Sequence, residues 1–269
     1  MMLEEKIAFI GGGNMAEGII HAMIKESVIS SHNIHVFDII KQRMDYLNKT
    51  YHIELITDLD KELSDFDILF IAVRPQDAEG VLRQIKESVV KSPLIISICA
   101  GITINDIEKE LGETTKISRV MPNVLVEARH GFTGICVSPT VKEKDQSILK
   151  ALFKALGQTI FIPESQFDAF TAFSCAGPAY LMYCISGLID AGVQCGFSRN
   201  DSRNMVLENV IGSGLVLQET GEHPMQRVDK MTSPAGVTID GVAILNKEGL
   251  TGILMEAVKS ALDRTRDLS

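Results

Sequence analysis

Short apolar runs separated by amphipathic stretches mark the first part of the chain. Lys6–Ile10, Asp67–Val73, Pro93–Cys99 and Lys116–Met121 read as strands, as does "NIHVFD" ending at Asp38, and weaker strand signals lie near Ile135 and Ile160. Helical spacing runs from Asn14 to Glu26 and begins again at Lys41, near Asp77 and at Thr103. Strand and helix in alternation predict a doubly wound α/β sheet. From about Glu164 the strand signals vanish and helical spacing takes over, as in Ile253, Leu254, Ala257, Val258, Ala261 and Leu262. The pattern therefore predicts an α/β domain over residues 1–162 and an all-helical domain over 163–269, without repeats or a low-complexity linker.

The longest uncharged stretch, Ala169–Ile189, has the length to span a bilayer. Its Ser, Thr, Cys and Gly residues dilute the hydrophobicity, and Gly177-Pro178 interrupts it where Pro suits the first turn of a new helix. It is read as a helix buried in a domain or subunit interface rather than in a membrane. A formal charge of −9 and a pI near 5.2 argue against general affinity for nucleic acid or anionic membrane. The five cysteines are odd in number and lack C-x-x-C spacing, which predicts buried thiols in a reducing cytoplasm and neither disulfides nor a zinc site. The acidic N-terminus leads directly into the first strand, so no secretion or transit segment is expected there.

Three consecutive glycines, Gly11, Gly12 and Gly13, follow the first strand. Gly11, Gly13 and Ala16 fill the small-residue places of the dinucleotide fingerprint G-x-G-x-x-G/A, in which backbone amides and a helix N-terminus approach a pyrophosphate. Asp38 stands where a carboxylate accepts bonds from an adenosine ribose. In such sheets ligands bind beyond the carboxyl ends of strands, which draws attention to "AVRPQ" (Ala72–Gln76), "SICAGIT" (Ser97–Thr103) and "RVMPN" (Arg119–Asn123). Arg74-Pro75 is placed for the cofactor's ribose or phosphates, and Ala100 and Gly101 allow a flat ring near the backbone. Ordinary turn chemistry is the competing account for each segment. In the helical region, the loop Ser233–Thr238 enters a helix whose amides would hold a carboxylate, while Thr238 offers a hydroxyl or else simply caps the helix.

Taken together, G-x-G-N-M, A-V-R-P-Q, A-G-I, R-V-M-P-N, G-P-A-Y and S-P-x-G-x-T resemble pyrroline-5-carboxylate reductase over essentially the whole chain. The resemblance implies a Rossmann domain binding NADPH or NADH, and a helical domain interleaved with its twin in a dimer that often assembles further. It implies reduction of 1-pyrroline-5-carboxylate to L-proline. Carried over, Gly11, Gly12, Gly13, Asn14 and Met15 hold the pyrophosphate, and Asp38 and Asp60 lie near the adenosine ribose. Ala72, Arg74, Pro75, Ala100, Gly101 and Asn123 line the cofactor path. Ser233, Gly236, Val237 and Thr238 hold substrate, with Thr238 guiding the proton of the imine nitrogen. Such chemistry needs alignment and water exclusion more than a strong acid, which suits motifs without a His, Lys or paired-carboxylate constellation. His130 and His223 are read as surface or cap residues.

The chain departs from the family's S-G-S-G-P-A and S-P-G-G-x-T at Cys175, Ala176 and Ala235. Ala176 lacks a hydroxyl, and Ala235 adds a methyl where the backbone would favour glycine. The departures leave room for another cyclic imino acid as substrate, a hydroxy-acid dehydrogenase relative, or a non-catalytic dinucleotide-binding regulator. Asp38 favours NADH, whereas Lys41 and Arg43 argue for NADPH; the balance leans to NADH.

Overall fold

The computed structural model describes residues 2–89, 91–128 and 130–268, and of Glu127 and Leu268 the backbone only. The chain divides into two compact units, one reaching to Cys175 together with the chain from Leu262 onward, the other Ala176–Ala261.

The first unit is built on an eight-stranded sheet in the order β3-β2-β1-β4-β5-β6-β7-β8. Its strands are β1 (Ile7–Ile10), β2 (Ile34–Phe37), β3 (Glu54–Leu55), β4 (Ile68–Ile71), β5 (Leu94–Ser97), β6 (Lys116–Met121), β7 (Gly131–Val137) and β8 (Gly157–Phe161). The first six run parallel in the order that creates a ligand crevice where the winding reverses, between β1 and β4. Helices α1 (Asn14–Lys25), α2 (Lys41–Tyr51), α3 (Leu59–Glu62), α4 (Pro75–Ser88), α5 (Ile104–Leu111) and α6 (Glu143–Lys154) lie among them in sequence.

Alternate residues of each buried strand face opposite layers. Ile7, Phe9, Ile34, Val36, Phe70 and Ile96 pack with α1, α2 and α6 through Ile19, Met23, Leu47 and Phe153. Ala8, Ile10, Leu69, Ile71, Ile95 and Ile117 pack with α4 and α5 through Leu82, Ile85 and Ile107. Burial on both faces explains why β1 and β4 are continuously apolar, and β5 as far as Ile96. The Phe9 and Phe70 rings stack at 4.2 Å within the first layer.

β7 runs antiparallel to β6, and β8 parallel to β7, so the last two strands oppose the first six. Nine residues, with a 3₁₀ turn at Val124–Ala128, separate β6 from β7, too few for the helical crossover that parallel pairing requires. The buried Arg119 of β6 donates to Glu164 at 2.6 Å and lies over the Phe167 ring. Beyond it, α7 (Phe167–Phe170) passes into a π-helical turn, Thr171–Cys175.

In the second unit, α8 (Gly177–Gln194) and α9 (Arg199–Thr220) cross closely enough that a side chain on Gly192 would meet Ser202 Oγ at 2.7 Å. α10 (Pro224–Met231), α11 (Val237–Lys247) and α12 (Leu250–Leu268) follow, α12 belonging to this unit as far as Ala261. His223 caps α10 through Nδ1, which accepts from the Met225 amide, while His130 is exposed. These helices bury very little: Pro178 in α8, Ser202 and Val206 in α9, and no residue of α10 or α11. Tyr183 is 84% exposed, and Leu181, Met182, Ile211, Leu215, Ile244 and Met255 are also exposed. Glu164–Gln194 is long and apolar enough, by length and composition, to cross a membrane, but the same apolar exposure recurs on α9, α11 and α12. Helices with so little core of their own require a covering surface.

Candidate active site

The three glycines sit at the carboxyl end of β1, in the crevice, and steric exclusion explains the first two. Gly11 has φ +102°, and a side chain there would drive into the Ala72 carbonyl at the end of β4. A side chain on Gly12 would meet Leu47 Cδ1 at 2.8 Å. Gly13 is the N-cap of α1, without a side-chain cap, and a methyl there would meet nothing within 4 Å. The first amides of α1 thus face open space with the helix dipole behind them, an arrangement suited to a pyrophosphate.

Asp38 binds this loop directly. Its Oδ2 accepts from the Gly12 amide at 2.8 Å and its Oδ1 from the Ile40 amide at 2.9 Å, leaving lone pairs on both oxygens for ribose hydroxyls. Ile39 beside it is 86% exposed. Arg43, from the first turn of α2, donates through Nε to the Gly12 carbonyl at 2.5 Å and through Nη2 to Glu17 at 2.5 Å. Glu17 also accepts from Tyr46 at 3.0 Å and Tyr51 at 2.8 Å. Burial raises the pKa of Glu17, but the bonds from Arg43 and the two tyrosines outweigh it and hold the carboxyl below its usual range. Burial and the bond to Glu17 push Tyr51 up to about 12. Glu17 and its tyrosines escape sequence reasoning because the cluster joins helices far apart in the chain, with no periodic signal.

The other strand-end residues divide. Arg74 is the N-cap residue of α4 and pairs with Asp77 at 2.9 Å, with Pro75 in the first turn. Ala100 and Gly101, at φ +76°, form the small turn after β5. Asp60 is not brought to the glycine loop: it accepts from Gln84 at 2.8 Å and Ser88 at 3.5 Å, in the last turns of α4, which runs back toward the amino ends of the strands. Asn123 is buried, and its amide is engaged by backbone, donating to Ser174 O and accepting from the Leu125 and Phe132 amides. It braces the end of β6 against the π-helical turn, where the Cys175 thiol also donates to Pro122 O at 3.7 Å. Burial pushes Cys175 up to about 12, so it stays a neutral thiol.

In the second unit, the Gly236 amide donates to Ser233 O at 3.0 Å, closing a turn in which Ala235 has φ +56°. A side chain on Gly236 would collide with Ser233 Oγ. Gly236 is the N-cap of α11 and has no side-chain cap, so the helix begins with open amides. Val237 is 91% exposed, and Thr238, the second helical residue, is exposed with no hydroxyl partner among the described residues. Thr238 therefore does not cap α11. Among the described residues no three His, Cys, Asp or Glu side chains gather as metal ligands.

Residues 164–268 match the family model "Pyrroline-5-carboxylate reductase dimerisation", and residues 6–101 match "NADP oxidoreductase coenzyme F420-dependent". The chain is 36% identical to the pyrroline-5-carboxylate reductase of Synechocystis, over 98% of both chains. It is 33% identical to pyrroline-5-carboxylate reductase 1 of Bacillus subtilis, over 99% of this chain and 90% of the relative. Among solved structures, a pyrroline-5-carboxylate reductase from Coxiella burnetii superposes with a TM-score of 0.92 at 28% identity over 99% of each chain. The Plasmodium falciparum pyrroline carboxylate reductase with NADP bound gives 0.88 at 30% identity, over 100% of this chain and 99% of that one. With full-length relatives above 30% identity, the chain belongs to the pyrroline-5-carboxylate reductase family.

Proposed function

We propose that the chain reduces 1-pyrroline-5-carboxylate to L-proline with NAD(P)H, as part of proline biosynthesis. The observation that carries this reading is the start of α11: open first-turn amides beside a Thr238 hydroxyl that neither caps the helix nor bonds another described residue. The open amides of Val237 and Thr238 take the substrate carboxylate, favoured by the helix dipole, at the turn that the Gly236 amide closes on Ser233 O. Ser233 shapes the turn that presents them. Thr238 holds the proton at the imine nitrogen as charge shifts there, which a hydroxyl can do without a perturbed pKa.

In the first unit, Gly11, Gly12, Gly13, Asn14 and Met15 hold the cofactor's pyrophosphate, and Asp38 takes the adenosine ribose. Ala72, Arg74, Pro75, Ala100 and Gly101 border its path along the strand ends, while Asn123 keeps the β6 end in shape. The reduced nicotinamide supplies the hydride. Asp60 is left out of this scheme, because Gln84 and Ser88 hold its Oδ1 beside the last turns of α4. Cofactor preference leans to NADH: Asp38 is followed by the exposed Ile39 and Ile40, which offer a 2′-phosphate no donor side chain.

The functional division falls at residues 162/163, in line with a dimerisation model that begins at residue 164. A second copy covers the apolar helix faces of the second unit, making a homodimer, and the enzyme works in the cytoplasm. Steady-state assay with pyrroline-5-carboxylate and each reduced cofactor tests the activity. Cofactor binding without imine-dependent loss of absorbance overturns it and favours a regulatory dinucleotide binder. Light scattering tests the assembly: a stable monomer at micromolar concentration overturns the dimer, and the same measurement reads any assembly of dimers.

A further inference from the structure

Two cations, Lys41 and Arg43, open α2 just past Asp38, and each is a natural partner for a 2′-phosphate. Arg43 is already at the ribose corner, because its Nε bonds the carbonyl of the same Gly12 whose amide bonds Asp38. Its charge, however, is matched. Glu17 takes Nη2 at 2.5 Å, and Tyr46 and Tyr51 fix the other oxygen of that carboxylate. The side chains of the pair are only 22% and 20% exposed, so solvent screens it weakly.

We propose that Glu17 sets the cofactor preference, by holding Arg43 in a neutral pair so that the ribose corner accepts a free 2′-hydroxyl over a 2′-phosphate. The inference rests on the cofactor reading of the glycine loop. A 2′-phosphate approaching Arg43 meets the Asp38 carboxylate in front and the Glu17 carboxylate behind. To serve the phosphate, the guanidinium would have to leave a charge-assisted bond held by two further hydroxyls. Lys41 has no partner among the described residues and is a constant background in every variant considered. A merely structural clamp between α1 and α2 would weaken both nucleotides equally when broken. A preference device changes their ratio.

The test is calorimetric titration of wild type, Glu17→Gln, Arg43→Gln and the double variant with NAD+ and with NADP+, alongside thermal melts. Glutamine keeps an acceptor for the tyrosines but removes the charge. Glu17→Gln should improve the NADP+ affinity relative to NAD+ by about tenfold, the usual scale of one charge-assisted contact. The gain should vanish in the double variant, since it acts through Arg43. Glu17→Asp, which withdraws the carboxylate by one methylene, should move the ratio the same way by less, and serves if Glu17→Gln does not fold. A ratio unchanged in the folded variants, or a gain that survives loss of Arg43, overturns the inference. If wild type binds neither nucleotide, the cofactor reading itself falls and the inference with it.

Discussion

Replacing Thr238 with alanine separates a proton-guiding hydroxyl from a helix cap. Were Thr238 a cap, its loss would remove about 1 kcal/mol, or about 2–4 °C of melting temperature in a chain of this size. In the structure Gly236 is the N-cap and Thr238 is the second helical residue, exposed and unbonded. Alanine is the better helix former by up to about 0.7 kcal/mol, so the sign reverses and the melt should stay level or rise by about 1–2 °C. The loop amides remain, so carboxylate binding and KM should change little. A bond that strengthens only as charge shifts on the nitrogen lowers kcat and kcat/KM together, by about 10²–10⁴-fold, and Thr238→Ser should restore most of it. Kinetics and melts on one preparation decide the matter. A lowered melting temperature with unchanged kcat would refute the assignment.

Three further outcomes follow from the packing. Ala235 at φ +56° already occupies a region that disfavours branching, so Ala235→Val should cost roughly 1–3 kcal/mol locally and raise KM for the imine, while Ala235→Gly leaves KM level or lower; an unchanged KM in the valine variant contradicts the strain argument. Glu164→Ala leaves the buried Arg119 guanidinium unmatched and frees the Ile104 amide it accepts from, and should lower stability by about 3 kcal/mol in urea unfolding; a loss under about 1 kcal/mol would show that water replaces the carboxylate. Burial raises the thiols of Cys175 to about 12 and Cys136 to about 11 from 9.0. Because the folded-state values lie above the unfolded ones, their contribution is complete below about pH 9 and is lost as pH rises toward 11–12. The urea midpoint should fall across that window, and less steeply in Cys175→Ala.

The backbone geometry of the short loop segments was legible in the chain. Gly11, Gly12 and Gly13 each exclude a side chain or leave room for a ligand in a way that their spacing already encodes, and the departure at Ala235 falls at a left-handed position, as the loop pattern implied. What failed depended on tertiary neighbours. Asp60 matched the ribose by order along the chain, but Gln84 and Ser88 of α4 take its carboxylate. The spacing of Asn123 gives no sign that its amide braces three backbone groups, one each in the π-helical turn, the 3₁₀ turn and β7. The two-residue β3 has too few positions to show a period, and the reversed direction of β7 follows from the brevity of the 3₁₀ turn before it rather than from anything in the strand. The Glu17–Arg43 pair spans two helices whose separate patterns are ordinary.

The scarcity of buried side chains in α8–α11 ties the fate of one gene product to that of its neighbours. Such helices complete their folding only on meeting another chain, so that step is second order in concentration, and the melting temperature should climb as the protein is concentrated. A copy damaged in its glycine loop but intact in these helices still finds partners, and at equal expression about half of all pairs would then join one sound and one defective chain by random assortment. In a cell carrying both alleles, a lesion in the sheet would therefore spread through the population of enzymes, whereas a lesion on an α9 face would remove only the chain that bears it.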